Sequence, residues 1–450
     1  DEAGNPLSSG ATTQWSTDTT PPAVAVTPVA PDPRSTGVDQ VCFTFSEAVS
    51  GFDGSDLVLR RDGGWNLLTD ANTVASSDGI TWTLGGLSAL TAAPGTYTLS
   101  LAAAGSGIVD HVGNALSNGA FEIWEVDATG PTAWIVAVAP DPRNGPVNEI
   151  AIVFDEAVTG LDLADLSLTR NGGPNLLSGA ETLLTSDQIT WRLGGLQSLT
   201  GAEGDYQLTL TAAGSGILNG VSLPLTSDAG DGWRVDLVPP TGAIAPLGPD
   251  PHREPVGVLT IVFSEPVAGF GLDQITLSRS GGANLLTGGE MLTTGDSVTW
   301  TLAGLSALTA PSGTYTLTVP AAGTQVKDAA GNALAGDVTV TWVQDVGAPT
   351  VDLVDVTPDP RSTAVEEVQI VFSEPVEFFG IENLFLYLDG EPLALAGVAT
   401  LHSSDDMHWQ LGNLSTLTAA QGTYGLALRA FGSQIQDRAG NVLRGGTTES

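Results

Sequence analysis

Pro140-Asp-Pro-Arg-Asn-Gly-Pro-Val-Asn-Glu-Ile-Ala-Ile-Val-Phe-Asp-Glu156 is the stretch that decides the fold. It opens with a turn in which the prolines fix φ and remove backbone donors. It closes with a run whose apolar residues Ile150, Ile152 and Phe154 take every second position, the period of a strand with one buried face. The stretch recurs: the turn aspartate stands at Asp32, Asp141, Asp250 and Asp359, and the glutamate ending the run at Glu47, Glu156, Glu265 and Glu374, each step being 109 residues. Trp82, Trp191, Trp300 and Trp409 keep the interval, as do Tyr97, Tyr206, Tyr315 and Tyr424, and a second series Trp15, Trp124, Trp233 and Trp342. An Asp-x-x-Gly-Asn-x-Leu segment starts at Asp1, Asp110, Asp328 and Asp437, and its third copy has decayed to Asn219-Gly-Val-Ser-Leu-Pro-Leu225. No gap is needed, so the chain is an internal duplication. Selection for a regular axial rise and recent duplication both account for the constant spacing.

Within residues 128–236 the runs from Thr132, Asn148, Leu166, Thr182, Gln188, Tyr206 and Gly232 read as seven short strands separated by turn residues. That pattern predicts an all-β chain of tandem seven-stranded immunoglobulin-like β-sandwiches in a linear array. Ile189, Trp191 and Leu193 are expected on one inward face, and Gly204-Asp-Tyr206 sits where a tyrosine corner opens the sixth strand. The expected repeats are 19–127, 128–236, 237–345 and 346–450. Residues 1–18 match the last strand of a preceding repeat, and the fourth repeat is expected to lack that strand. A window cut from a longer array explains this frame; a surplus strand that completes the next subunit is the alternative.

The chain has 450 residues, 42% apolar and only 14% charged, yet a net charge of −37; Lys327 is its one lysine. Such acidity excludes nucleic acid and anionic membrane surfaces as partners and suits surroundings rich in divalent cations. A single cysteine, Cys42, rules out an internal disulfide framework, and its place between Val41 and Phe43 turns it outward. No apolar window is long enough for a membrane span, and the opening Asp1-Glu-Ala-Gly-Asn5 does not have the pattern of a leader, as expected of a mature fragment or a section of something longer.

Phe263-Ser-Glu-Pro-Val267, Gly313-Thr-Tyr-Thr-Leu317 and Asp328-Ala-Ala-Gly-Asn-Ala-Leu334 resemble bacterial immunoglobulin-like repeats. The resemblance covers the whole chain. It implies a β-sandwich array in a large surface protein or adhesin, extracellular and at the cell surface. It also implies calcium at domain junctions, as in many relatives.

The acids can be placed on sandwich topology. A linker Asp, the Glu ending the second strand and the Asp before the last strand all belong at the pole where the chain enters a repeat. The turn Asp of the preceding repeat is expected to join them. The expected groups are Asp18, Glu47 and Asp110; Asp32, Asp127 and Glu156, with Asn219 in place of an acid; Asp141, Asp236, Glu265 and Asp328; and Asp250, Asp345, Glu374 and Asp437. Gathered carboxylates repel unless a cation or a base offsets them, and calcium accepts six to eight oxygens in irregular geometry. The competing expectation is structural: Arg34, Arg143, Arg253 and Arg361 pair with these acids, or the acids form turns. Asp78, Asp187, Asp296 and Asp405 are expected as turn residues, and Trp82 as core rather than a sugar platform.

His111, His252, His402 and His408 have no ligand spacing, and no nucleophile elbow, phosphate loop or zinc motif occurs, so the chain is not expected to be an enzyme. The expected function is a structural segment of an extracellular surface protein, a spacer, stalk or filament of roughly 40 Å per repeat. Neighbouring repeats or subunits of the same protein are its partners. An adhesin module gripping a surface glycan or protein competes with it, and Leu388-Asp-Gly-Glu-Pro-Leu393 marks the fourth repeat as the divergent one.

Overall fold

The computed structural model describes residues 2–6, 10–445 and 448–449, the last two by backbone alone. Asp1 and Ser450, which the repeat pattern and frame also use, lie outside the described residues. The chain divides into two compact units, Asp1–Asp141 with Gly145–Val235, and Pro142–Asn144 with Asp236–Ser450.

In the first unit, the first repeat consists of β1 (Val24–Val26), β2 (Val41–Phe45), β3 (Val49–Ser50), β4 (Leu57–Arg61), β5 (Val74–Ser76), β6 (Thr81–Leu84), β7 (Gly95–Leu101), β8 (Val109–Asp110) and β9 (Ala120–Val126). One sheet has the order β1-β2-β6-β5 and the other β4-β7-β9, while β3 pairs with β8 alone. This is the immunoglobulin division of seven main strands into sheets of four and three. Phe43, Phe45 and Leu84 from one sheet close on Leu57, Leu59, Tyr97, Leu99 and Trp124 from the other, all buried in one core. Alternation in β2 supplies that face: Val41, Phe43 and Phe45 are buried, whereas Cys42 lies beside Thr83 on the other side of the sheet. Tyr97 donates its hydroxyl to the Ala93 carbonyl at 2.8 Å, and its ring stacks on Trp124 with centroids 5.6 Å apart, so the tyrosine corner is present.

The second repeat repeats this plan, its seven expected strands lying at Ala133–Ile135, Glu149–Phe154, Leu166–Arg170, Thr182–Thr185, Thr190–Gly194, Gly204–Leu210 and Ala229–Val235. Two features depart from expectation. Ile189 is 37% exposed and Trp191 half-buried, leaving only Leu193 of that trio fully inside. Ile189 precedes the strand, in a turn held by Asp187, and its carbonyl serves Phe154 N–H. The second is the short ladder of Val158–Thr159 with Leu218–Asn219, too brief to leave a periodic signal.

In the second unit, the third and fourth repeats carry the same four-stranded sheets, ordered as in β1-β2-β6-β5. In the fourth, Asp389 and Gly390, both at positive φ, form a two-residue hairpin between Leu384–Leu388 and an added strand Glu391–Leu393. That repeat also begins the strand it was expected to lack. Thr448 and Glu449 pair with Ala427 and Leu426, the register in which Gly230 and Asp231 pair with Thr209 and Leu208.

One glycine series positions the region developed below. Gly51 has φ +84, and a Cβ there would collide with the Gly107 carbonyl; Gly160 and Gly269 meet Gly216 and Gln325 in the same way. The bare backbone lets β3 lie against the loop that carries Asp110. The fourth repeat has Phe378 at this position, at φ 60 and 64% exposed.

Candidate metal centres at the repeat entries

The β3–β8 ladder pairs Val49 with Asp110, which fixes that aspartate where the chain enters the repeat. Asp110 Oδ1 accepts the N–H groups of Val112, Gly113 and Asn114 at 2.9, 2.7 and 2.8 Å, and Oδ2 accepts Asn114 Nδ2 at 2.7 Å. Asn114 Nδ2 also donates to the Asp18 carbonyl at 3.2 Å, so the loop grips the incoming linker. Asn332 does the same between Asp328 and the Asp236 carbonyl, and Asn441 between Asp437 and the Asp345 carbonyl. Asp-x-x-Gly-Asn thus encodes a linker clamp. Its asparagine was visible in every intact copy of the segment, but its role was not.

Three groups of carboxylates converge on these clamps: Asp18, Glu47 and Asp110; Asp236, Glu265 and Asp328; and Asp345, Glu374 and Asp437. In each, one oxygen per residue lies within 4.8 Å of the others, and the loop aspartate is buried. Burial, then the Asp110 and Asp18 charges, pushes Glu47 above the ordinary carboxyl range; burial, then Asp345 and Asp437, does the same to Glu374. Burial also works upward on Asp110, but the Asn114 side chain and the three loop N–H groups outweigh it and hold that carboxyl low. At the entry to the first repeat, then, an aspartate held charged stands beside a glutamate that resists ionisation. All the converging donors are hard carboxylate oxygens, without imidazole or thiolate, which fits calcium better than zinc.

The turn aspartates belong to no such group among the described residues. Asp32 Oδ1 accepts Glu125 N–H, Asp141 accepts Arg234 N–H and Asp250 accepts Val343 N–H, each at 2.8 Å. Each carboxylate ties its turn to the last strand of its own repeat. The first turn runs parallel beside that edge strand, bridging Arg34 to Val126, where outward N–H groups need acceptors. Arg34 and Arg361 are likewise spent locally, donating to the Thr36 and Gly37 carbonyls and to those of Thr363 and Ala364. Asp78, Asp187, Asp296 and Asp405 are turn residues as expected, each Oδ1 accepting N–H groups two and three positions on. Trp82 packs partly buried on the core, edge-on to Phe52 with centroids 5.4 Å apart.

The second repeat departs from the trio. Asp127 and Glu156 occupy the linker and strand-end positions, but Asn219 Nδ2 sits between them, 3.0 Å from Asp127 Oδ2 and 3.1 Å from Glu156 Oε1.

Two family models, each described as a bacterial Ig-like domain, match residues 18–122 and 250–343. The chain carries bacterial Ig-like domains in tandem. No curated protein matches it. Among solved structures, the I67–I69 fragment of titin is 12% identical, covering 72% of this chain and 98% of its own at a TM-score of 0.26. The human desmocollin-1 ectodomain is also 12% identical, covering 95% and 77% at a TM-score of 0.25. At such scores neither likeness bears on function. Among the described residues, no helix of these Ig-like domains is long and apolar enough to cross a membrane.

Proposed function

We propose that this tandem of Ig-like domains is a spacer segment of an extracellular surface protein, without catalytic activity, in which calcium closes the joints entering the first, third and fourth repeats. The observation that carries this is the thrice-repeated trio. Each joins a linker aspartate to a strand-end glutamate and a loop aspartate of the repeat that follows, which makes the linker part of the site. Calcium bound there offsets three like charges and fixes the angle at which the chain enters the sandwich. Spacing then follows from repeat number, and stiffness from the cation concentration outside the cell. The net charge of −37 keeps such a segment from self-associating.

Small-angle X-ray scattering of the chain in calcium and in excess chelator, paired with a calcium titration, tests this. The expected result is calcium binding, with a larger maximum dimension and less flexibility in calcium. Identical profiles and no binding would discard the calcium-closed spacer.

A further inference from the structure

The four entry sites differ at one donor, and the difference is compensated. In the first, third and fourth repeats an acid stands before the last strand, and the asparagine four residues on clamps the linker carbonyl. In the second repeat Asn219 replaces the acid, and Leu223 replaces the clamping asparagine. Asn219 takes both jobs. Its Nδ2 donates to the Thr129 carbonyl of the linker at 3.2 Å, besides Asp127 Oδ2 and Glu156 Oε1.

The amide cannot reverse. Asn219 Oδ1 accepts the N–H groups of Val221 and Leu223 at 3.1 and 2.9 Å. Rotating the group by half a turn would set two N–H donors against its own NH₂ and its oxygen against two carboxylates. The face turned toward Asp127 and Glu156 therefore carries hydrogen and partial positive charge, where the other repeats present a third carboxylate. Burial, helped by the Asp127 and Asp155 charges, leaves Glu156 above the ordinary carboxyl range, and the Asn219 hydrogen bond works against that rise.

We propose that Asn219 is a built-in replacement for the cation, so that the joint entering the second repeat is closed permanently while the other three open and close with calcium. This rests on the cation reading above and deepens it. The array then has one calcium-independent joint beside three calcium-dependent ones, and chelation loosens the chain at defined places rather than throughout.

The test uses the full chain, CaCl₂ and EGTA. Calorimetric titration of chelator-treated protein is expected to give three calcium ions per chain, and four for Asn219→Asp. Hydrogen exchange of the linker at 127–131 is expected to be the same in both buffers, while the linkers after Asp18, Asp236 and Asp345 exchange faster in EGTA. The reciprocal double variant Asp110→Asn with Asn114→Leu should bind two ions and make the first linker indifferent to EGTA. Four ions in the unsubstituted chain, or a 127–131 linker that loosens in EGTA like the rest, would overturn the proposal while leaving calcium closure intact. No calcium binding at all removes the cation reading instead. Asn219→Leu then decides the amide's role: exchange at 127–131 about tenfold faster or more supports the lock, and unchanged exchange overturns it.

Discussion

Replacing Glu374 with glutamine should stabilise the fourth repeat in chelator and weaken the protein's hold on calcium, a change of sign that no purely structural glutamate would produce. Glu374 offers an oxygen within 4.8 Å of oxygens on Asp345 and Asp437. Two unit charges at that separation repel by about 0.9 kcal/mol in water and about 3.5 kcal/mol at an effective permittivity of 20. Glu374 is only partly buried, so the aqueous figure governs and salt trims it further. Two neighbours then give a relief of about 1–2 kcal/mol when the metal-free variant loses its charge. For a domain of about 100 residues, each kcal/mol moves the unfolding midpoint by about 4–8 °C. In calcium the same substitution removes a charged ligand, and affinity at that site should fall by about 10- to 100-fold. Differential scanning calorimetry in EGTA and in saturating calcium, with a calcium titration of the variant, measures both arms. A lower midpoint in EGTA, or unchanged calcium affinity, would refute the view of these carboxylates as mutually repelling ligands.

Glu47 and Glu374 are raised from the ordinary 4.5, so the native state holds their protons more tightly. That stabilisation is complete below the unfolded value and is lost as pH rises through the folded one. Metal-free protein should therefore lose stability as pH climbs through the raised range, and calcium should abolish the loss; thermal midpoints across pH in both buffers check it. Asp78, Asp187 and Asp296 are held below 3.8 chiefly by backbone N–H groups, so their contribution is present above that value and should vanish as pH falls through the lowered ones. Tyr206→Phe strips the hydroxyl that donates to the Ala202 and Leu199 carbonyls, and urea denaturation should show a loss of about 1–3 kcal/mol in the second repeat. Phe378→Gly should stabilise the fourth repeat by about 1 kcal/mol by releasing a bulky residue from the left-handed region, measured in the same way.

The carboxylate trios were largely legible before any coordinates. The linker Asp, strand-end Glu and loop Asp share one pole because antiparallel strands return there, and the 109-residue interval repeats the assignment. The turn aspartates were misassigned to the same groups because topology gives the pole at which a loop lies, not which neighbour its side chain meets. The nearest acceptor-seeking groups are the outward N–H groups of Glu125, Arg234 and Val343, and they capture Asp32, Asp141 and Asp250. Ile189 was misplaced for a related reason: period two holds only inside a strand, and this residue lies one position before its strand begins at Thr190.

Sequence alone therefore determined the repeat, the all-β sandwich and such inward faces as Ile150, Ile152 and Phe154 inside a strand, because interval and alternation are properties of one dimension. Only tertiary structure decided which polar groups satisfy one another. Asn219 read as a missing acid on paper; folded, its amide stands between Asp127 and Glu156 with its oxygen pinned by Val221 and Leu223. Hydrogen bonds are settled within a few tenths of an ångström and in a definite direction, and neither distance nor direction is written in the order of residues.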